Sequence, residues 1–192
     1  MNPATSPTSL IPGPRIAVIG VSGSGKTTLA ARLSTILSIP HVELDALHWL
    51  PGWVEQEREQ FRQSVAQALY GSTWVVDGNY SKARDIIWGR ASTIVWLDYP
   101  LPVILWQLTS RTLKRMVTHE KLWGGNVETF RGAFFSKESL FLWALKTYRQ
   151  RRVTYPPAFA RPEHAHLQVI QLHSRADTAA WLELVQQQVT LN

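Results

Sequence analysis

The spacing of apolar positions switches back and forth along this chain. Ile16-Ala17-Val18-Ile19 is a short β-branched run, the composition of a strand buried on both faces. Behind it Leu29, Leu33, Ile36 and Leu37 recur at helical spacing. His41-Val42-Glu43-Leu44 is the next strand candidate, followed by an apolar loop turned by Pro51-Gly52. Glu55 to Tyr70 reads as a helix with Phe61, Val65, Ala68 and Leu69 on its apolar stripe, closed by Gly71. Thr73-Trp74-Val75-Val76 and Thr93-Ile94-Val95-Trp96-Leu97 are further strands. Between 101 and 115 Leu101, Leu105, Leu108 and Thr112 mark a helix, with Pro102 where a helix start tolerates proline. From about 117 to 137 periodicity fades, which at that length marks a mobile functional loop. A helix from Ser139 to Arg152, a strand from Leu167 to Leu172 and a last helix carrying Trp181, Leu182, Val185 and Val189 complete the pattern. No internal repeat and no second domain is visible.

The link between the first strand and the first helix is Gly20-Val21-Ser22-Gly23-Ser24-Gly25-Lys26-Thr27, which fits the P-loop pattern at every fixed position. Its residue types suit a polyphosphate. Gly20, Gly23 and Gly25 let backbone N–H groups converge without Cβ clashes, and the helix that follows presents its own N–H groups and the positive end of its dipole. Ser22, Ser24 and Thr28 join that cradle. Lys26 is expected to reach the β- and γ-phosphates of ATP, and the Thr27 hydroxyl to ligate Mg²⁺. Asp77 ends an apolar strand, the Walker B placement that steadies the Mg²⁺ shell. Asp45 follows the second strand. In an open parallel sheet, ligands bind beyond the carboxyl ends of the strands, so Asp45 can face a second substrate. His48, beside Trp49, reads more readily as a packing residue than as a chemical group. Trp49 and Trp53 can stack on a ring or pack in the core.

Composition and charge narrow the picture. At 192 residues the chain fits one domain, from 15 to 192, and its apolar fraction of 45% is enough for a core. There is no cysteine, hence no disulfide and no thiolate metal site. With no apolar run of spanning length and no signal-peptide pattern at the start, a cytoplasmic location is expected, without membrane contact. Residues 1–14 hold four prolines and are expected to form a disordered lead-in. The net charge of +6 is uneven: Arg111 to Arg161 carries 11 Lys/Arg against 3 Asp/Glu, a local +8. Such a segment suits a polyphosphate site or nucleic acid, and a solvated face is its plain alternative.

Taken in order, these elements resemble the adenylate kinase group of P-loop proteins. Val76-Asp77-Gly78 is similar to the strand that ends in that group's Asp-Gly-Phe-Pro-Arg, with Asn79-Tyr80 in place of Phe-Pro and the arginine missing from its position. More closely, Leu44-Asp45-Ala46-Leu47-His48-Trp49 with Pro51-Gly52-Trp53, then Trp74 to Tyr80, then Leu122-Trp123-Gly124-Gly125-Asn126 with Glu128, resemble the bacterial DNA topology modulation protein family. That family name fixes no biochemical activity. The resemblance covers about 15–152 and implies a P-loop NTPase fold: three α/β/α layers around a five-stranded parallel sheet, strand order 2-3-1-4-5, with a LID-like insertion at about 117–137. It implies ATP and Mg²⁺, with Arg111 starting the LID and Arg149, Arg151 and Arg152 near its exit. Arg111 and Arg149 would then act on the transferring phosphoryl group, and Arg152 on the nucleotide. The Thr-Gly-Asp of the monophosphate kinases is absent after the second strand. Asp45 with His48 is nearer to the gluconate- and shikimate-type kinases, where an Asp meets the acceptor hydroxyl. The expected activity is transfer of the ATP γ-phosphate to a small acceptor, with Lys26, Asp45, Arg111 and Arg149 as catalytic residues. A nucleotide-gated nucleic-acid binder and a bare ATPase are the alternatives.

Overall fold

The computed structural model describes residues 11–118, 120–127 and 140–191. Strand β1 (Arg15–Gly20) lies at the centre of a parallel sheet, between β5 (Trp74–Asp77) and β6 (Thr93–Leu97); β2 (His41–Glu43) pairs with β5 and β7 (Gln168–Leu172) with β6. The spatial order is thus β2-β5-β1-β6-β7. Two short strands, β3 (Trp49–Leu50) and β4 (Val54–Glu55), pair antiparallel in a separate hairpin. Setting these two aside, the five stretches lie in the expected order.

Alternation along β1 explains the layering. Ile16 and Val18 point into one cluster with Leu29, Leu33, Leu108, Ile170 and Trp181; Ala17 and Ile19 point into a second with Phe61, Val65, Trp88, Trp96 and Tyr155. Period-two alternation puts neighbouring side chains on opposite faces, so a strand apolar at every position needs a cover on both sides. Helices α1 (Lys26–Leu37), α5 (Leu101–Thr118) and α7 (Arg175–Leu191) cover one face; α3 (Arg58–Ala68) and α4 (Arg84–Arg90) cover the other. Helix α6 (Leu140–Phe159) serves both, burying Ala144 in the first cluster and Tyr155 and Ala158 in the second. It therefore passes over the carboxyl end of the sheet.

Several boundaries differ from the sequence expectation. The second strand ends at Glu43, and Leu44–His48 form a short helix, α2, so Asp45 sits in a helical first turn instead of at a strand end. Helix α3 starts at Arg58 because the Glu57 carboxylate accepts from the N–H groups of Glu59 (2.8 Å) and Gln60 (3.0 Å), an N-cap that sets the start; Glu55 belongs to the hairpin. Helix α6 continues past Arg152 through Pro156 and Pro157. Both prolines are exposed while Tyr155 and Ala158 are buried, so apolar burial outweighs the lost N–H donors at its last turn. Of the expected mobile loop, 117 and 118 are helical and 120–127 are folded against the hairpin; 119 and 128–137 lie outside the described residues. Residues 1–10 of the expected lead-in also lie outside them, while Gly13 and Pro14 are tied to the sheet through Thr93 Oγ1 (2.8 Å) and the Trp74 N–H (3.0 Å). Among the described residues no helix is long and apolar enough to cross a membrane.

Candidate active site

The glycine loop leaves β1 at the carboxyl edge of the sheet. Gly23 has φ +86°, and a Cβ there would stand 2.9 Å from Leu108 Cβ and 3.1 Å from the Ile104 carbonyl oxygen, so the loop rests directly on α5. The Val21 carbonyl accepts from the Ser24 N–H (3.0 Å) and from Lys26 Nζ (3.2 Å), which folds the lysine back over the loop. Ser24 is buried, Ser22 half-buried, and Gly25, Thr27 and Thr28 face solvent at the start of α1. The Lys26 ammonium is enclosed although the residue as a whole is only half-buried. Burial and the nearby positive charges of Arg151 and Arg111 bring its pKa down to about 8, against the opposing pull of Asp45 and Asp77. These four side chains, from four different elements, thus act on one ammonium.

Thr27 Oγ1 donates to Asp77 Oδ2, and Asp77, at the end of β5, is almost fully buried. Its other oxygen lies 3.3 Å from His41 Nε2. A hydroxyl and a carboxylate side by side at a phosphate loop are hard oxygen donors, the set Mg²⁺ prefers when phosphates supply its other ligands. No cluster of three or more His, Cys, Asp or Glu able to hold a metal occurs among the described residues. The Thr27 hydroxyl and the Asp77 carboxylate fit a metal whose other ligands are phosphate oxygens.

Asn79 and Arg151 support the loop from below, and neither role was evident from sequence. Asn79 Oδ1 accepts from the Gly20 N–H (3.2 Å) and from the Tyr155 hydroxyl (3.2 Å), while its amide donates to the Gly20 carbonyl. Arg151 Nη1 donates to the same carbonyl at 2.8 Å. Arg151 is only 9% exposed, at the point where α6 crosses the sheet. The neighbouring arginines behave differently. Arg149 is exposed on α6. Arg152 stacks on Tyr148 (4.5 Å to the ring centre) and binds Asp98 Oδ1 at 2.6 Å, beyond the end of β6. Arg111 is half-buried on α5, near enough to Lys26 to depress its pKa.

On the other side of the loop, α2 and the hairpin form a second wall. The Tyr80 hydroxyl donates to Asp45 Oδ1, and burial together with that carboxylate pushes the phenol pKa far up. His48 is 2% exposed, packed against Trp49, Phe61 and Tyr80 with Nε2 3.4 Å from Glu55, so its packing role is the one observed. Glu43, at the end of β2, accepts from Trp123 Nε1 at 2.9 Å. Asn126 holds the hairpin turn: Oδ1 accepts from the N–H groups of Gly52 (2.8 Å) and Trp53 (3.0 Å), and Nδ2 donates to the carbonyls of Leu50 (3.0 Å) and Trp123 (2.7 Å). All four hydrogen-bonding positions of that amide are used. Gly124 passes so close that a Cβ would stand 2.8 Å from Pro51 N. The segment after α5 is thus fastened to the segment after β2.

Solved structures share this architecture. A shikimate kinase from Acinetobacter baumannii in complex with shikimate is 17% identical, with a TM-score of 0.56 over 97% of this chain and 99% of that one. A shikimate kinase from Bacteroides thetaiotaomicron is 16% identical (TM-score 0.52; 92% and 98% covered), and a gluconokinase from Sinorhizobium meliloti 1021 is 18% identical (TM-score 0.50; 94% and 97% covered). No protein-family model and no curated relative matches the chain by sequence. The chain shares with these kinases a fold of three α/β/α layers around a five-stranded parallel sheet.

Proposed function

We propose that this protein is an ATP-dependent phosphotransferase that moves the γ-phosphate to a small acceptor. The observation that carries the reading is the convergence on Lys26: Asp77, Asp45, Arg111 and Arg151 all bear on its ammonium from separate elements. A bare ATPase needs the loop and its metal carboxylate but no second wall with a half-buried Tyr80–Asp45 pair. In this reading the loop N–H groups and Lys26 hold the β- and γ-phosphates, and Thr27 with Asp77 holds Mg²⁺. The metal, when bound, offsets charge on the phosphates. Asp45 orients the acceptor oxygen in line with the γ-phosphorus and takes its proton if it is an alcohol. The new P–O bond forms as the β–γ bridging bond breaks, and ADP leaves. Arg111 and Arg149 supply charge near the transferring group, and Arg152 bears on the nucleotide. A cytoplasmic location accords with ATP as substrate. The resemblance to the DNA topology modulation family belongs to this same reading.

The +8 segment is the one observation for a nucleic-acid binder. Against it, Arg151 is buried on the P-loop, Arg152 is paired with Asp98, and Arg115 lies over Trp123, so part of that charge is used internally. An acceptor panel with γ-labelled ATP tests the proposal. Label moving from ATP onto a small molecule is the expected result; label appearing only as inorganic phosphate would leave an ATPase. Duplex DNA binding is expected to stay in the ~10⁻⁴–10⁻⁶ M range of non-specific association and to be indifferent to a non-hydrolysable ATP analogue.

A further inference from the structure

His41 is the first residue of β2, and the sheet decides where its side chain goes. The Pro40 carbonyl accepts from the Val75 N–H (2.8 Å); His41 then pairs with Val75, Val42 with Val76 and Glu43 with Asp77. Paired residues of a parallel ladder share a face, and residues two apart along a strand return to it. Val75 lies in the cluster with Ile16, Val18 and Leu29, under α1, whereas Val42 and Val76 lie in the opposite one. His41 and Asp77 are therefore both on the α1 face, diagonal neighbours across β2 and β5. Their contact follows from that register. His41 Nε2 stands 3.3 Å from Asp77 Oδ1, and the two side chains are 15% and 5% exposed.

The same carboxylate receives the Thr27 hydroxyl on Oδ2, from the start of α1. A carboxylate only accepts, so the ring nitrogen that faces Asp77 is the one that carries the proton. The last torsion of an aspartate is broad, and one donor on Oδ2 leaves the plane of the group free to turn about that contact. A second donor on Oδ1 removes this freedom. The two donors come from an edge strand and from the helix that follows the glycine loop, so they fix the carboxylate against both. Partners behind a metal ligand orient it before the metal arrives, and their loss weakens metal binding without touching the metal.

We propose that His41 is a positioning residue of the metal site, its Nε2–H holding the Asp77 carboxylate in place beside Thr27 for the Mg²⁺ of a metal–nucleotide complex. This rests on the reading of Thr27 and Asp77 as metal ligands, and the test separates the two. Affinity for a non-hydrolysable ATP analogue is titrated calorimetrically, once in saturating Mg²⁺ and once in EDTA. The ratio of the two affinities reports what the metal adds on the protein. Two substitutions exchange ring for donor. His41→Phe keeps a ring and loses the N–H; His41→Gln loses the ring and offers an amide donor at similar reach. His41→Phe should lower the affinity in Mg²⁺ roughly tenfold and leave the affinity in EDTA within about twofold, while His41→Gln should keep the ratio within about threefold of wild type. A residue that only fills space predicts the reverse order. Should His41→Phe melt below the assay temperature, His41→Leu takes its place, and His41→Gln must still show the larger ratio. Asp77→Asn, measured alongside, should bring the ratio toward one. A wild-type ratio in Asp77→Asn would overturn the metal assignment, and the role of His41 with it. A collapsed ratio in Asp77→Asn beside an unchanged one in His41→Phe, or a larger loss in His41→Gln than in His41→Phe, overturns the role of His41 and leaves the metal assignment standing.

Discussion

The two walls of the site are built by different means. On the phosphate side the turn itself is closed by contacts short in sequence, and side-chain bonds from Asp77, Asn79 and Arg151 then brace it. Val21 accepts from Ser24 and Lys26, and the loop continues from a strand with every residue from Ile16 to Gly20 buried. On the acceptor side the contacts are side chains far apart in sequence: Asn126 with Gly52 and Trp53, Trp123 with Glu43, Tyr80 with Asp45. The first wall continues directly from the buried central strand. The second is a set of clasps between segments that the core does not force together. A side that recognises a constant group can be rigid; one that admits and releases a variable partner has to open.

The largest effect expected from breaking this division is at Lys26. Lys26→Ala removes the ammonium proposed to meet the β- and γ-phosphates. Each lost charge-assisted contact is worth about 1.5–3 kcal/mol, so Mg-ATP affinity should fall on the order of tenfold to a hundredfold, and turnover by about 10²-fold or more. Because the one bond it makes to the Val21 carbonyl is offset by the burial of its charge, the melting temperature should hold. Calorimetric titration and steady-state turnover check both halves, and wild-type affinity in the variant would refute the assignment of the loop.

What could be read in advance follows the same division. The loop, Thr27 and Asp77 were legible because glycine spacing and a strand-ending acid are local signals, and the parallel sheet followed from β-branched runs alternating with helical stripes. Asp45 was legible as a residue beyond a strand, but its helical setting and its partner Tyr80 were not, since their bond joins residues 35 apart. Arg151 was hidden among three similar arginines. Only the point at which α6 crosses the sheet decides that it, and neither Arg149 nor Arg152, meets Gly20. Its sole sequence signal is the phase it shares with Tyr155, four residues on, which is also buried. Asn126 lay in a stretch read as a loop, and no local pattern announces a side chain that satisfies a distant turn.

The next effect in size is at that clasp. Asn126→Ala leaves the N–H groups of Gly52 and Trp53 and the Leu50 carbonyl without their side-chain partner. An unsatisfied buried group costs about 1–3 kcal/mol, yet the hairpin can shed this cost by swinging into water. The acceptor KM should therefore rise about tenfold, Trp49, Trp53 and Trp123 should change their fluorescence, and Mg-ATP affinity should stay within about twofold. Equal losses of both affinities would mean that the two walls are one unit. Tyr80→Phe is a finer cut at the same wall. Removing the donor to Asp45 should cost about 1.5–3 kcal/mol of acceptor-side stabilisation, read as a tenfold or larger fall in kcat/KM with unchanged nucleotide binding.

The most gradual expected effect is in pH, and it bears on the phosphate wall alone. Lys26 titrates near 8 in the free protein, against 10.5 for an ordinary lysine, because burial and two arginines disfavour its charge. Phosphate binding needs the charged form. Mg-ATP affinity should be flat below about pH 7.5 and weaken by up to tenfold per pH unit above 8, with uptake of a proton on binding. Stability of the free protein should move the other way. Between about 8 and 10.5 the unfolded chain holds a proton on Lys26 that the folded chain has released, so stability from this group rises with pH across that window and is lowest below it. Opposite slopes for affinity and stability separate this group from general alkaline loosening, which would lower both. Lys26→Ala should bind weakly with a flat profile through the same range. A wild-type profile that is equally flat from pH 7 to 9.5 would mean that the ammonium is not enclosed before the nucleotide arrives.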